Sequence, residues 1–291
     1  MVKKSKWARG SDQYVKRVSR DQSVAGNPAG SESSRILPPR KRSGDAKIQF
    51  AACGISWGDF DVDHIKDGGV DRARHRLRSH LPELVWNAAA LEGNNFTLPE
   101  VKTLLDGVTV GGRKIDDQRQ IVALSEAFNL LDELVGSGGF SLTKSVSDEL
   151  HAIVARHEAI ESGMFRGEGE ATGGGTVRLA RGGVVPGTSH GEGGELLREH
   201  YADLVDYLRR LDDPRRRALL YFAAASRRQF YFDGNKRTAR LMMAGELMSS
   251  GNDVVSVPFA RKLEFNNALD QMFETDDATE LLRFLGTCTL D

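Results

Sequence analysis

A mostly α-helical domain behind a basic tail, with one short β-hairpin, is the fold class this sequence predicts. Apolar residues recur at three- and four-residue steps through nine segments from about residue 70 onward. One glycine-rich stretch departs from that rhythm, and the first 47 residues carry a charge balance opposite to the rest: 12 Lys and Arg against 4 Asp and Glu, then 28 against 37. A chain of 291 residues that is 40% hydrophobic can bury a sizeable core as one large domain, or as a domain plus an extension.

Residues 1–47 are rich in Lys, Arg, Ser, Gly and Pro and hold too little apolar surface to offset ordering entropy, so they are expected to be a disordered basic tail. Its Pro38-Pro39-Arg40-Lys41-Arg42 run reads as a solvated tail, and nucleic acid is not an expected partner. Residues 48–79 form an N-terminal extension, and 80–291 the main domain. The helical segments are 72–92, 98–106, 116–136, 141–161, 192–211, 214–229, 236–250, 262–274 and 277–288. Between them, Thr176–Ala180 and Val184–Pro186 flank Gly182-Gly183 and follow Gly173-Gly174-Gly175, the pattern of an exposed hairpin. Cys53 and Cys288 stand far apart without metal-ligand spacing, which supports neither a disulfide framework nor a zinc site. No run of about 18 apolar residues occurs, and the N-terminus lacks an apolar leader core. A soluble, cytoplasmic protein with no membrane partner is expected.

The richest chemistry lies in Gln229-Phe230-Tyr231-Phe232-Asp233-Gly234-Asn235-Lys236-Arg237-Thr238-Ala239-Arg240. Leu241, Met242, Met243, Ala244, Leu247 and Met248 continue it at helical spacing, so Asp233-Gly234-Asn235 reads as a helix start whose free N–H groups attract an anion. Asp233 is a hard oxygen ligand suited to Mg²⁺ beside phosphates, or a cap for the helix. Gly234 permits a close backbone approach. Asn235 and the amides after it can cradle a phosphate. Arg237 and Arg240 share a helical face and suit phosphate or carboxylate bidentately, with Lys236 adding charge beside them.

This segment closely resembles the signature of the Fic (Fido) family, His-Pro-Phe-x-Asp/Glu-Gly-Asn-Gly/Lys-Arg-x-x-Arg. Trp86 through Glu100 resembles the family's inhibitory-helix motif, Ser/Thr-x-x-x-Glu-Gly/Asn, at about 87–98. Gly163-Met164-Phe165-Arg166 and the hairpin that follows, about 163–186, look like the flap on which a target segment docks. The resemblance spans roughly residues 80–288. It implies a helical-bundle Fic fold and transfer of AMP from Mg·ATP to a Ser, Thr or Tyr hydroxyl of a target protein. In that scheme Asp233 holds Mg²⁺ and Gly234 and Asn235 cradle phosphate, while Arg237 and Arg240 neutralise the β- and γ-phosphates. Glu92, followed by Gly93, would pair with Arg240 and block a productive γ-phosphate pose, or align water for the reverse hydrolysis. A helix-terminal Glu with a solvent or lysine partner is the plain alternative.

Three differences from the commoner family residues bear on the chemistry. Gln229 stands where the family has its general-base His, and an amide has no useful basicity near neutral pH. Activity is therefore expected to be weakened or altered, the alternatives being a catalytically silent regulatory module that binds ATP or AMP, or transfer of another phosphate-linked group as in a Doc-like kinase. His151, on an apolar helix face, reads as a core residue and His190 as a loop residue. Ala88 stands where the inhibitory motif has Ser or Thr. Lys236 replaces the commoner Gly, as in the Doc branch that transfers a γ-phosphate, whereas Arg240 fits the nucleotidyl-transfer layout. A homo-oligomer is left open.

Overall fold

The computed structural model describes residues 44–290, which lie within one compact unit. Most of the stretch read as a basic tail, including its Pro38–Arg42 run, lies outside the described residues. Eleven α-helices and one two-stranded sheet make up the described part. The helices are α1 (Gly44–Cys53), α2 (Val70–Ser79), α3 (Leu81–Leu91), α4 (Leu98–Leu105), α5 (Ile115–Gly136), α6 (Lys144–Val154), α7 (Glu195–Leu208), α8 (Pro214–Arg228), α9 (Asn235–Ser249), α10 (Lys262–Thr275) and α11 (Thr279–Gly286). The antiparallel pair is β1 (Val177–Arg178) and β2 (Val184–Val185), with Val177 opposite Val185 and Arg178 opposite Val184.

Helix α9 is the axis of the molecule. Every residue in it except Lys236 and Ser249 is buried, and its buried charges are paired: Arg237 with Glu158, Arg240 with Glu92 and Glu246 with Arg217. It packs against α8, α6, α5 and α2. Gly245 admits the segment that joins α5 to α6, since a Cβ there would lie 2.1 Å from the Phe140 ring. Because α9 is wrapped on all sides, its first turn has one direction left to face, and the cleft lies there.

Two predicted helices end differently in the structure. The segment 72–92 is two helices broken at His80 (φ −105°, ψ 9°), because Pro82 has no N–H and its ring would collide with the preceding turn of a continuous helix. The segment 141–161 stops at Val154, and the chain turns back through Ala155, which accepts the amides of Glu158 and Ala159. That turn brings Glu158 to Arg237 in the first turn of α9. Helix α1 was not expected; it begins within the last residues of the supposed tail and packs on α7. Cys53 and Cys288 are both free and buried. No helix among the described residues is long and apolar enough to cross a membrane.

Candidate active site

A cleft of about 470 Å³ opens at the N-terminus of α9, a volume in the range of small-molecule and cofactor sites. Its floor is Gln229 with Phe232–Arg237, its wall is one face of α10 (Lys262, Asn266, Leu269, Asp270, Phe273), and Thr176–Arg178 and Ala180 roof it. Leu91 and Glu92 close one end.

The floor is shaped by neutral hydrogen bonds among its own atoms. Helix α8 ends at Gln229, which takes the left-handed conformation (φ 54°, ψ 62°). Gln229 Nε2 donates to the Ser226 carbonyl at 2.6 Å, and Asn235 Nδ2 donates to Gln229 Oε1 at 3.1 Å. Asn235 also donates to the Tyr231 carbonyl (2.7 Å) and accepts the Tyr231 amide on Oδ1 (2.8 Å). The Asn235 side chain is thus fully engaged in closing the loop, and what remains for a ligand is backbone. Gly234 caps α9 at φ 71°, and the N–H groups of Asn235, Lys236 and Arg237 have no acceptor among the described residues. Three free amides at the positive end of a helix form an anion seat.

Neither candidate histidine replaces the missing base. His151 Nδ1 accepts the Gly163 amide and Nε2 meets the Asp233 carbonyl, both at 2.9 Å, which assigns the proton to Nε2. The ring stacks on Tyr231 at 3.8 Å between centroids, and burial pushes its pKa down to about 4. His151 is therefore a neutral post beneath the loop. His190 contacts the Gly191 carbonyl through Nδ1, and neither histidine lines the cleft.

The charged residues fall into two sets. Arg237 is buried; it donates to the Val154 carbonyl (3.3 Å), pairs with Glu158, and lies 3.5 Å from Asp233 Oδ1. Burial is the largest influence and opposes its charge, but the Glu158 hydrogen bond and the charges of Glu158, Glu92 and Asp233 together outweigh it and hold its pKa up. Glu158 is itself anchored by Gln120 at 2.9 Å. Asp233 accepts the Gly234 amide on Oδ1 (2.5 Å), and its side chain is 59% exposed.

At the other end, Glu92 Oε1 accepts from Arg240 Nη2 at 2.9 Å and Oε2 lies 3.0 Å from Lys236 Nζ. Burial alone would raise the Glu92 pKa, yet Lys236, Arg240 and Arg237 together hold it at about 2. Glu92 is also the cap residue of α3. Gly93 (φ 95°) donates to the Ala90 carbonyl at 3.1 Å and Asn94 to the Ala89 carbonyl at 3.1 Å, a Schellman closure. A carboxylate at a helix C-terminus is disfavoured by its own helix. It is stabilised here because the N-terminus of α9 and two cations stand opposite. Arg240 keeps Nε and Nη1 buried without an acceptor and is lowered in pKa by burial.

Glu158, Lys262 and Asp270 were not picked out from sequence, and Arg166 was noted only as part of the flap. Lys262 lines the cleft while donating to the Ala90 carbonyl (2.8 Å). Arg166 is buried and donates from Nε to the Gln229 carbonyl at 2.7 Å, pinning the loop from behind. None of these carries a local sequence signature.

This helical scaffold, with a floor loop between two central helices and a hairpin roof, is the fold of Fic-domain proteins. A Fic-domain signaling protein from Bacteroides thetaiotaomicron superposes with TM-score 0.62 at 22% identity, covering 78% of this chain and 88% of that one. Fic-1 from C. elegans superposes with TM-score 0.60 at 21% identity, over 78% and 64%. In sequence the chain is 25% identical over 229 residues to the protein adenylyltransferase Fic of Culex quinquefasciatus, covering 78% of this chain and 43% of that protein. It is 27% identical over 208 residues to the namesake from Drosophila grimshawi, covering 70% and 40%. No family model matches. The chain spans less than half the length of these curated relatives. It shares the fold of Fic-domain proteins and is similar in sequence to curated proteins named protein adenylyltransferase Fic.

Proposed function

We propose that this protein binds Mg·ATP in the cleft and transfers AMP slowly to a hydroxyl of a target protein docked on the hairpin. The observation that carries the reading is the Glu92 corner. A buried carboxylate there occupies Arg240 and Lys236 beside the free amides of α9, so the site already holds an anion where a nucleotide's phosphates would lie. The acceptor oxygen would form a bond to the α-phosphorus as the bond to the departing pyrophosphate breaks. Its proton must leave, and Gln229 cannot take it.

Loss of a general base costs about 10²–10⁴ in rate, while positioning and charge stabilisation survive. Asp233 fits a Mg²⁺ role: its exposed carboxylate keeps Oδ2 free, and such an ion takes its other oxygens from phosphate and water. Mg²⁺ would neutralise phosphate charge. No cluster of three metal-type side chains occurs among the described residues, consistent with a site completed by the nucleotide. Glu92 in this reading is the inhibitory group, and Gly93 lets its helix end there.

A second reading, ATP or AMP binding without turnover, is favoured by the hydrogen bonds of Gln229, which leave its amide engaged at both ends. Incubation with isotopically labelled ATP, Mg²⁺ and a lysate, followed by intact-mass analysis, separates the two. The first reading expects a slow AMP increment from the unaltered chain, rising about 10²–10⁴-fold in Gln229→His. The second expects binding alone from the unaltered chain. A phosphate increment would mean transfer of a different group, and absence of nucleotide binding in every variant, Glu92→Gly included, overturns both.

A further inference from the structure

The hairpin over the cleft is too small to hold itself. Each strand contributes two residues, and its turn runs through Gly182 (φ 94°) and Gly183 (φ 103°). An isolated two-stranded hairpin is marginal in water even when longer. At its root, Arg166 donates from Nη1 to the Gly174 carbonyl (3.3 Å) and from Nη2 to the Thr188 carbonyl (2.7 Å), gathering the two ends of the strap.

The tip is held by a different group. Asp270, on the cleft face of α10, accepts the Ala180 amide on Oδ1 at 3.1 Å and the Arg181 amide on Oδ2 at 2.9 Å. The Arg181 side chain reaches back, with Nε 3.8 Å from Oδ2 and Nη2 donating to the Asn267 carbonyl at 3.0 Å. Asp270 is 4% exposed, and a buried carboxylate is costly unless its oxygens are satisfied. Both of its oxygens are satisfied by the hairpin. The flanking residues of that face, Leu269 and Phe273, line the same cleft.

We propose that Asp270 is a positioning residue that latches the hairpin tip to the α10 wall, so that occupancy of the cleft and the seating of the hairpin are coupled through one carboxylate. The latch itself rests on geometry alone; the coupling to nucleotide rests on the proposed function. Asp270→Asn keeps the size but turns one acceptor oxygen into a donor facing an amide N–H. Hydrogen bonds to charged groups are strong enough that losing one should accelerate local opening by about tenfold or more.

Hydrogen exchange of the full chain, followed by peptide mass analysis, tests this with ATP as the probe. Peptides covering residues 176–185 are expected to exchange about tenfold faster in Asp270→Asn, while those covering α9 keep wild-type rates. Asp270→Glu should recover part of the protection. Arg181→Pro, which deletes one latched N–H together with the side-chain contacts to Asp270 and Asn267 and leaves the sequence of α10 unaltered, should loosen the same peptides. Saturating ATP should slow hairpin exchange in the unaltered chain and leave Asp270→Asn unprotected. Wild-type hairpin exchange in both Asp270→Asn and Arg181→Pro overturns the latch. ATP protection that persists in Asp270→Asn overturns the coupling, and ATP that binds to no variant sinks the proposed function while the ATP-free arms still judge the latch.

Discussion

The floor loop and the Glu92 corner meet at the first turn of α9, yet they are held by opposite chemistry. The loop is closed mainly by neutral hydrogen bonds, Asn235 to Tyr231 and Gln229, Gln229 to Ser226 and His151 to Asp233, with Arg166 the one charged donor, on the Gln229 carbonyl. The corner is closed by charge alone, Glu92 against Arg240 and Lys236. Neutral bonds to backbone keep their geometry whatever anion arrives, whereas an ion pair can be exchanged for another anion. Shape and occupancy are therefore controlled separately within a few residues of one helix.

Asn235→Ala should break the loop side most severely. It strands the buried Tyr231 amide and carbonyl, and each unsatisfied backbone group costs about 1–3 kcal/mol, so a loss of about 4 kcal/mol is expected in urea unfolding. ATP binding should fall with it. A stability change below 1 kcal/mol, on the order of a surface substitution, would mean that the loop does not depend on this amide.

Acid should act next on the same side. The His151 pKa lies at about 4, below its ordinary value of 6.5, because burial disfavours the charged ring. The unfolded chain then binds more protons than the folded one between those values. This contribution to stability is fully present above about pH 6.5 and is lost as pH falls towards 4, a difference of about 3 kcal/mol. Unfolding free energies of wild type and His151→Gln across that window should show the variant with the shallower slope.

The corner should respond to a smaller push but in the opposite sense. Glu92→Gln keeps an acceptor for Arg240 and removes the charge, so ATP affinity by direct titration should rise about tenfold, equivalent to about 1.4 kcal/mol. Unchanged affinity would show that Glu92 does not compete for the seat. A drop would reverse the comparison, making the corner part of the floor.

What sequence could reveal follows the same division. The start of α9 and the residues from Asp233 to Arg240 were legible because helix periodicity and a glycine cap are local signals. The hairpin was legible from Gly182-Gly183 between two β-prone runs. Glu158, Arg166 and Asp270 were not, since each acts through a partner 63 to 90 residues away and looks like any surface charge in its own segment. The inward partners of Asn235 and Arg237 were hidden for the same reason. Their side chains face inward to Tyr231 and Glu158, contacts that no local pattern announces. The break at His80 was signalled by Pro82, but the apolar rhythm runs on through it.

The Schellman turn at Gly93 has a consequence for how the protein would read its surroundings. It ties a carboxylate to the body by a closed helix end, so under the proposed function Glu92 would behave as a tethered competitor whose local concentration is fixed and independent of the cell. The apparent dissociation constant for any phosphate ligand is then the intrinsic one divided by the fraction of molecules with Glu92 swung out. With a closing preference of about 1.4 kcal/mol, about one molecule in ten stands open, and the site fills only when ligand exceeds a threshold that a single side chain sets.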